Sequence, residues 1–204
     1  MNRALVAVVA GVAVVALGSL AGCGGQAATP ASTASARAAT TAAARVVADI
    51  LPPCPALPRV APVPGGLPDL RLACLGAGPA VRLSDLRGTP MVLNVWAAWC
   101  TNCAREMPIM AAVQRQAGSR LRFFGVHYKA PKAYALQSAV DFGVAFPSVQ
   151  DEPGDLVVQD LNAYAPPQTL FVTADGRVAG RKIGEIRSQA ELTALIREHL
   201  GVTL

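Results

Sequence analysis

No run of Lys or Arg occurs in this sequence, and its basic residues do not interleave with aromatics; 18 Lys and Arg against 13 Asp and Glu leave a net charge of +5 spread along the chain. Nucleic-acid binding therefore has no support, because it needs a concentrated basic footprint. A second CxxC is missing as well. Cys54 and Cys74 stand far apart in sequence, so Cys100-Thr101-Asn102-Cys103 lacks the further ligands at similar spacing that a structural zinc site would take. Long apolar runs are reduced to one, Ala4 to Leu20, at the extreme N-terminus. What remains is room for one α/β domain of about 140 residues behind a low-complexity start, enough for a core of its own.

Five cysteines are present, and they divide by location into Cys23, the wider pair Cys54 and Cys74, and the CxxC at Cys100 and Cys103. That division suggests three separate jobs: lipid attachment, a structural disulfide and a redox centre. The CxxC sits at a joint. Met91 to Trp96 is an apolar run that reads as a buried strand, and Met107, Met110, Ala111 and Val113 follow at helical spacing. A cysteine at the first turn of a helix faces unsatisfied backbone N–H groups and the positive end of the dipole, which favours thiolate over thiol. The second sulfur, one turn on, lies within disulfide reach. Thiol–disulfide exchange needs that pair, an attacker and a resolver, so Cys100 is the expected nucleophile and Cys103 the resolving thiol.

The segment Trp96-Ala97-Ala98-Trp99-Cys100-Thr101-Asn102-Cys103-Ala104-Arg105-Glu106-Met107-Pro108, with Leu83-Ser84-Asp85-Leu86-Arg87-Gly88 before it and Pro167-Gln168-Thr169-Leu170-Phe171-Val172 after it, resembles the thioredoxin superfamily and, within it, the extracytoplasmic TlpA-like thiol–disulfide oxidoreductases. The resemblance runs from about Leu67 to the C-terminus. It implies a thioredoxin-like α/β fold with a mixed central sheet flanked by helices. It also implies no cofactor, and protein thiols or disulfides outside the cytoplasm as partners. Further implications are a membrane thiol–disulfide carrier as electron source and a part in cytochrome c maturation. Substrate would be presented against Trp99 and a cis-proline, Pro167 by offset, with Pro166 as the alternative.

Three positions depart from the family pattern. Asn102 stands where proline is usual, and its backbone N–H is expected as an extra donor to the Cys100 sulfur. Pro166 removes an N–H that commonly pairs with the substrate chain. Asn94 and the Lys129-Ala130-Pro131 segment replace the usual carboxylates, leaving His127 and Glu106 as candidate proton relays. A competing reading of another class is soft-metal delivery, with Cys100, Cys103 and His127 gripping a cuprous ion.

Met1-Asn2-Arg3 and the apolar run end in Leu20-Ala21-Gly22-Cys23, which has the layout of an export signal (1–22) and resembles a lipobox with Cys23 as the lipidated residue. An uncleaved signal anchor is the other reading of the same run. Residues 23–50 are Ala-, Thr- and Ser-rich and read as a tether, with a weak helix over Arg37 to Ile50. Residues 51–66 form a Pro-rich extended segment holding Cys54, and a disulfide to Cys74 across the Gly65-Gly66 turn is expected in an oxidising compartment. Residues 67–204 form the domain, expected as a monomer on the outer face of the cell membrane.

Within it, Leu70 to Leu75 reads as a strand and Ser84 as the N-cap of one helical turn. Strands follow at Leu121 to His127, Phe146 to Val149 and Arg177 to Ile183. Helices are expected at Ala133 to Phe142, Leu156 to Tyr164 and Ser188 to Leu200, the last with Ser188 and Glu191 as a capping box and His199 on the surface.

Overall fold

The computed structural model describes residues 51–204. The signal sequence 1–22, Cys23, the tether 23–50 and its weak helix lie outside the described residues.

Seven strands make one mixed sheet in the order β2-β1-β5-β4-β3-β6-β7. They are β1 (Arg71–Cys74), β2 (Val81–Arg82), β3 (Met91–Trp96), β4 (Arg122–Tyr128), β5 (Ser148–Asp151), β6 (Gln168–Val172) and β7 (Val178–Ile183). Strands β3, β4 and β5 run parallel, and β6 pairs antiparallel with β3. Every residue of β3 is buried. Its near-continuous apolar sequence is what a central strand covered on both faces requires.

Helices α1 (Thr101–Ala117), α2 (Lys132–Asp141), α3 (Asp155–Leu161) and α4 (Gln189–Leu200) connect or follow these strands. Side chains alternate across a sheet, and in β3 Asn94 and Trp96 reach Glu106 on α1 and Phe142 just after α2. From β6, Phe171 meets His199 of α4 with ring centroids 5.0 Å apart. Helices α1, α2 and α4 therefore cover one face. Arg181 of β7, in register with Leu170, donates to the Leu161 and Asn162 carbonyls at the end of α3 and holds that helix on the other face.

The Pro-rich segment packs onto the domain. Leu51 and Cys54 are buried in its core, Cys54 is disulfide-bonded to Cys74, and Cys54 N–H donates to the Ala77 carbonyl at 2.8 Å. Gly66 bridges Arg177 at the far end of the β6–β7 hairpin.

Several local expectations shift. Ser84 is not an N-cap: it lies buried inside the 3-10 turn Leu83–Asp85, which has no side-chain cap, and its hydroxyl donates to Asp69. The strand expected over Phe146 to Val149 is β5, displaced toward the C-terminus because Phe146 is a core plug before the strand begins. Helix α3 ends at Leu161, where Asn162 takes the left-handed conformation, three residues short of Tyr164. His199 is half-buried on Phe171, and a Cβ at Gly180 would lie 2.4 Å from its ring, so glycine there makes room for an inward-facing imidazole. Half of the α4 capping box forms as expected, with Glu191 N–H donating to Ser188 Oγ, while the Glu191 carboxylate accepts from Arg187 N–H, one residue ahead of the cap, in place of Ser188 N–H.

Candidate active site at the head of helix α1

Strand β3 ends at Trp96, and the chain turns through Ala97 to Trp99 before α1 begins, so Cys100 falls at the N-cap. Its extended backbone lets the side chain turn back over the first helical turn. Cys103 N–H donates to Cys100 Sγ at 3.1 Å, and the two sulfurs form a disulfide. The extra donor expected from Asn102 is absent. The N–H on the sulfur belongs to Cys103, because the bond to the Cys103 sulfur draws Cys100 Sγ over the third helical position. Asn102 uses its side chain instead, its Oδ1 accepting from Arg105.

Trp99 stands beside the motif at 53 % exposure. Its Nε1–H donates to the Lys129 carbonyl at 3.1 Å, and its ring meets Tyr128 edge-on. The Pro166–Pro167 peptide bond is cis, which decides between the two prolines in favour of Pro167. Pro167 is buried and Pro166 partly exposed. The Pro167 carbonyl accepts from Gly184 N–H, so the proline turn is fixed to the end of β7.

Beneath the disulfide lies Glu106, one helical turn past Cys103 and on the same face. Both residues are fully buried. Glu106 Oε1 accepts from Asn94 Nδ2 at 2.8 Å, Oε2 accepts from Ile186 N–H at 3.0 Å, and Asn94 Nδ2 also reaches Thr169 Oγ1 at 3.2 Å. Burial pushes the Glu106 carboxyl up to about 7, against the two hydrogen bonds that favour its anion. A carboxyl so placed can take and return a proton near neutrality. Asn94, in a position read from sequence as a lost carboxylate, is thus the residue that holds the carboxylate supplied by α1.

His127 is fully buried opposite Trp96 in the β3–β4 register, its ring 4.7 Å from the indole. Neither ring nitrogen has a hydrogen-bond partner among the described residues, and burial holds the imidazole down to about 4. Among the described residues no group of three or more His, Cys, Asp or Glu side chains is placed to hold a metal ion.

The sequence left unnoticed the residues that hold Glu106 and the head of α1 in place: Thr169, the Ile186 N–H, and the pair Arg105–Glu185. Only Glu106 itself carried a local signal, through its i, i+3 spacing from Cys103.

The Redoxin family model matches residues 64–196. The thiol:disulfide interchange protein DsbE of Pseudomonas fluorescens biotype C is 31 % identical over 120 residues, which is 58 % of this chain and 65 % of that protein. The thiol-disulfide oxidoreductase ResA of Geobacillus kaustophilus is 35 % identical over 114 residues, 54 % of this chain and 63 % of that protein. The chain thus spans less than two thirds of the length of these curated relatives. A crystal structure of a DsbF homologue from Corynebacterium diphtheriae superposes with a TM-score of 0.57 at 24 % identity, covering 65 % of this chain and 85 % of that one, and shares the thioredoxin-like fold. The family match takes in the head of α1, Glu106 and the cis-Pro167 strand, and with more than half of its residues accounted for in this way the chain belongs to the Redoxin family.

Proposed function

We propose that the protein is a thiol–disulfide oxidoreductase that exchanges disulfides with protein thiols through Cys100 and Cys103. The observation that carries this reading is the Cys100–Cys103 disulfide at the head of α1, with the Cys100 sulfur accepting a backbone N–H. In the reductive direction the Cys100 thiolate attacks a partner disulfide, forms a mixed disulfide and expels a partner thiolate, which takes up a proton. Cys103 then loses its proton to Glu106 and attacks Cys100 Sγ. The Cys100–Cys103 disulfide closes, a second partner thiolate leaves, and two electrons have passed to the partner. Run backward, the same steps oxidise a dithiol. Trp99 and the Pro166–Pro167 turn are the surfaces against which the partner chain lies. Glu106 is the favoured relay over His127, since Glu106 has hydrogen-bond partners and a proton affinity near neutrality, whereas His127 has no partner among the described residues and is held down to about 4.

The fuller reading is an extracytoplasmic monomer, lipid-anchored through Cys23, that draws electrons from a membrane thiol–disulfide carrier and serves exported thiols such as those of apocytochrome c. It is supported by the family membership, by relatives named DsbE and ResA, and by the signal-like residues 1–22. Among the described residues no helix is long and apolar enough to cross a membrane. The Cys54–Cys74 disulfide has a structural part in this reading, fastening the Pro-rich segment to β1.

Insulin reduction by the purified protein tests the activity. Cys100→Ser should abolish turnover, and Cys103→Ser should accumulate a mixed disulfide with the substrate; a Cys100→Ser variant as fast as the unmodified protein would remove the proposal.

A further inference from the structure

Two consecutive residues of α1 grip two consecutive residues of the β7–α4 loop. Arg105 places both arms on Glu185, Nε to Oε1 at 2.9 Å and Nη2 to Oε2 at 2.8 Å. Glu106, next along the helix, receives the N–H of Ile186, next along the loop. Arg105 also donates to the Asn102 side chain, within the CxxC. An isolated surface ion pair contributes little, but a two-armed guanidinium–carboxylate contact fixes geometry as well as charge. Glu185 is largely covered, and the guanidinium holds its carboxyl below the usual range.

We propose that Arg105 and Glu185 are positioning residues for the reaction: their contact clamps the β7–α4 loop to the active-site helix, which keeps the Ile186 N–H on the Glu106 carboxylate and fixes Asn102 between the two cysteines. The inference rests on the reading of Cys100 and Cys103 as the exchanging pair and of Glu106 as their proton acceptor. Neither Arg105 nor Glu185 touches the sulfurs. They act through the loop and through Asn102.

A purely electrostatic role would look different, and the surroundings of Glu106 allow the two to be separated. Charged groups near it are Arg105 on its own helix, Glu185 on the loop, and Glu191 on α4, which is paired with Lys182 of β7 at 3.4 Å. Asn94 of β3, itself bonded to Thr169 of β6, donates to it as a neutral group, and Cys103 on its own helix is held in the disulfide and does not titrate. If charge alone mattered, Arg105→Gln would leave Glu185 unpaired and raise the Glu106 titration, and Glu185→Gln would leave Arg105 unpaired and lower it. If position matters, either substitution frees the loop, weakens the Ile186 hydrogen bond to the anion and raises the titration. The Ile186 bond acts on Glu106 more strongly than the Glu185 charge does, so the second outcome is the expected one.

The experiment is a carbon-13 carboxyl titration of Glu106 with hydrogen exchange at the Ile186 amide, on the oxidised full chain. Arg105→Gln, Glu185→Gln and the double variant should all move the Glu106 midpoint upward by similar amounts and speed exchange at Ile186. Arg105→Lys, which keeps the charge but loses the two-armed contact, should behave like Arg105→Gln. Midpoints that move in opposite directions, or that stay in place, would overturn the clamp, as would unchanged exchange at Ile186. No turnover enters these readouts, so an inactive protein in the insulin assay would sink the proposed activity while leaving the clamp to be judged by its own result.

Discussion

Glu106 and His127 lie buried on the same face of the sheet and are displaced in opposite senses, which makes a combined prediction possible. Glu106 is raised from 4.5 to about 7, so its contribution to stability is complete below 4.5 and is lost as pH rises through 7. His127 is lowered from 6.5 to about 4, so its contribution is complete above 6.5 and is lost as pH falls through 4. Each change amounts to about 3 kcal/mol in all, at about 1.4 kcal/mol per pH unit. Between pH 4.5 and 6.5 the two slopes cancel. Urea unfolding from pH 4 to 8 should therefore show Glu106→Gln losing stability toward acid relative to the unmodified protein, and His127→Phe losing it toward neutrality. Parallel profiles for all three proteins would contradict these burials. From sequence, both residues were legible as candidates; their partners were not. Whether a strand-end histidine meets a hydrogen-bond partner or a tryptophan face depends on which residue the neighbouring strand places opposite it.

At the scale of elements, α1 and its strand were readable because the signals were local: an apolar run for β3, helical spacing afterwards, and a CxxC at the joint. The boundaries of β5 and α3 were not, since they depend on tertiary partners. Asp151 at the end of β5 accepts from Gly154 and Val157 N–H and so starts α3 from outside the helix. Gly125 in mid β4 is a comparable case, where a Cβ would fall 2.2 Å from Ser148 Oγ and 3.0 Å from Trp96 Nε1. The Cys54–Cys74 link was expected from compartment and spacing, and the structure forms it with both cysteines buried. Replacing both by serine should cost about 3 kcal/mol on the chain-entropy account, or a fall in Tm of about 10 °C for a domain of this size. Thermal melts with and without the substitutions check this, and faster amide exchange should be confined at first to the residues around Cys54.

The whole molecule adds an arrangement that no single segment states. The CxxC sits at the C-terminal ends of β3 and β4, whereas Cys54 lies beside Ser148 at the start of β5, its Sγ 3.4 Å from the Ser148 carbonyl. The parallel strands thus separate the reactive sulfurs from the point where the described chain begins to pack. Cys23 lies outside the described residues, and its part is settled by fractionation: Cys23→Ser should release the protein from membranes or block its processing, while unchanged membrane association and gel mobility would remove the lipid anchor from the reading. By itself the sequence determined an α/β domain with a CxxC where an apolar strand meets a helix, because periodicity and spacing are local signals; the thioredoxin-like fold was what the family resemblance implied, and the Cys54–Cys74 pairing, across 20 residues, was an expectation that the packing of the Pro-rich segment had to meet. Only the tertiary structure decided which backbone N–H meets the Cys100 sulfur, which groups hold the Glu106 carboxyl, and that His127 meets no hydrogen-bond partner among the described residues. Those outcomes depend on register between strands and on helix-to-loop packing, where residues distant in sequence are brought within hydrogen-bond reach and buried polar groups must find whatever the fold supplies.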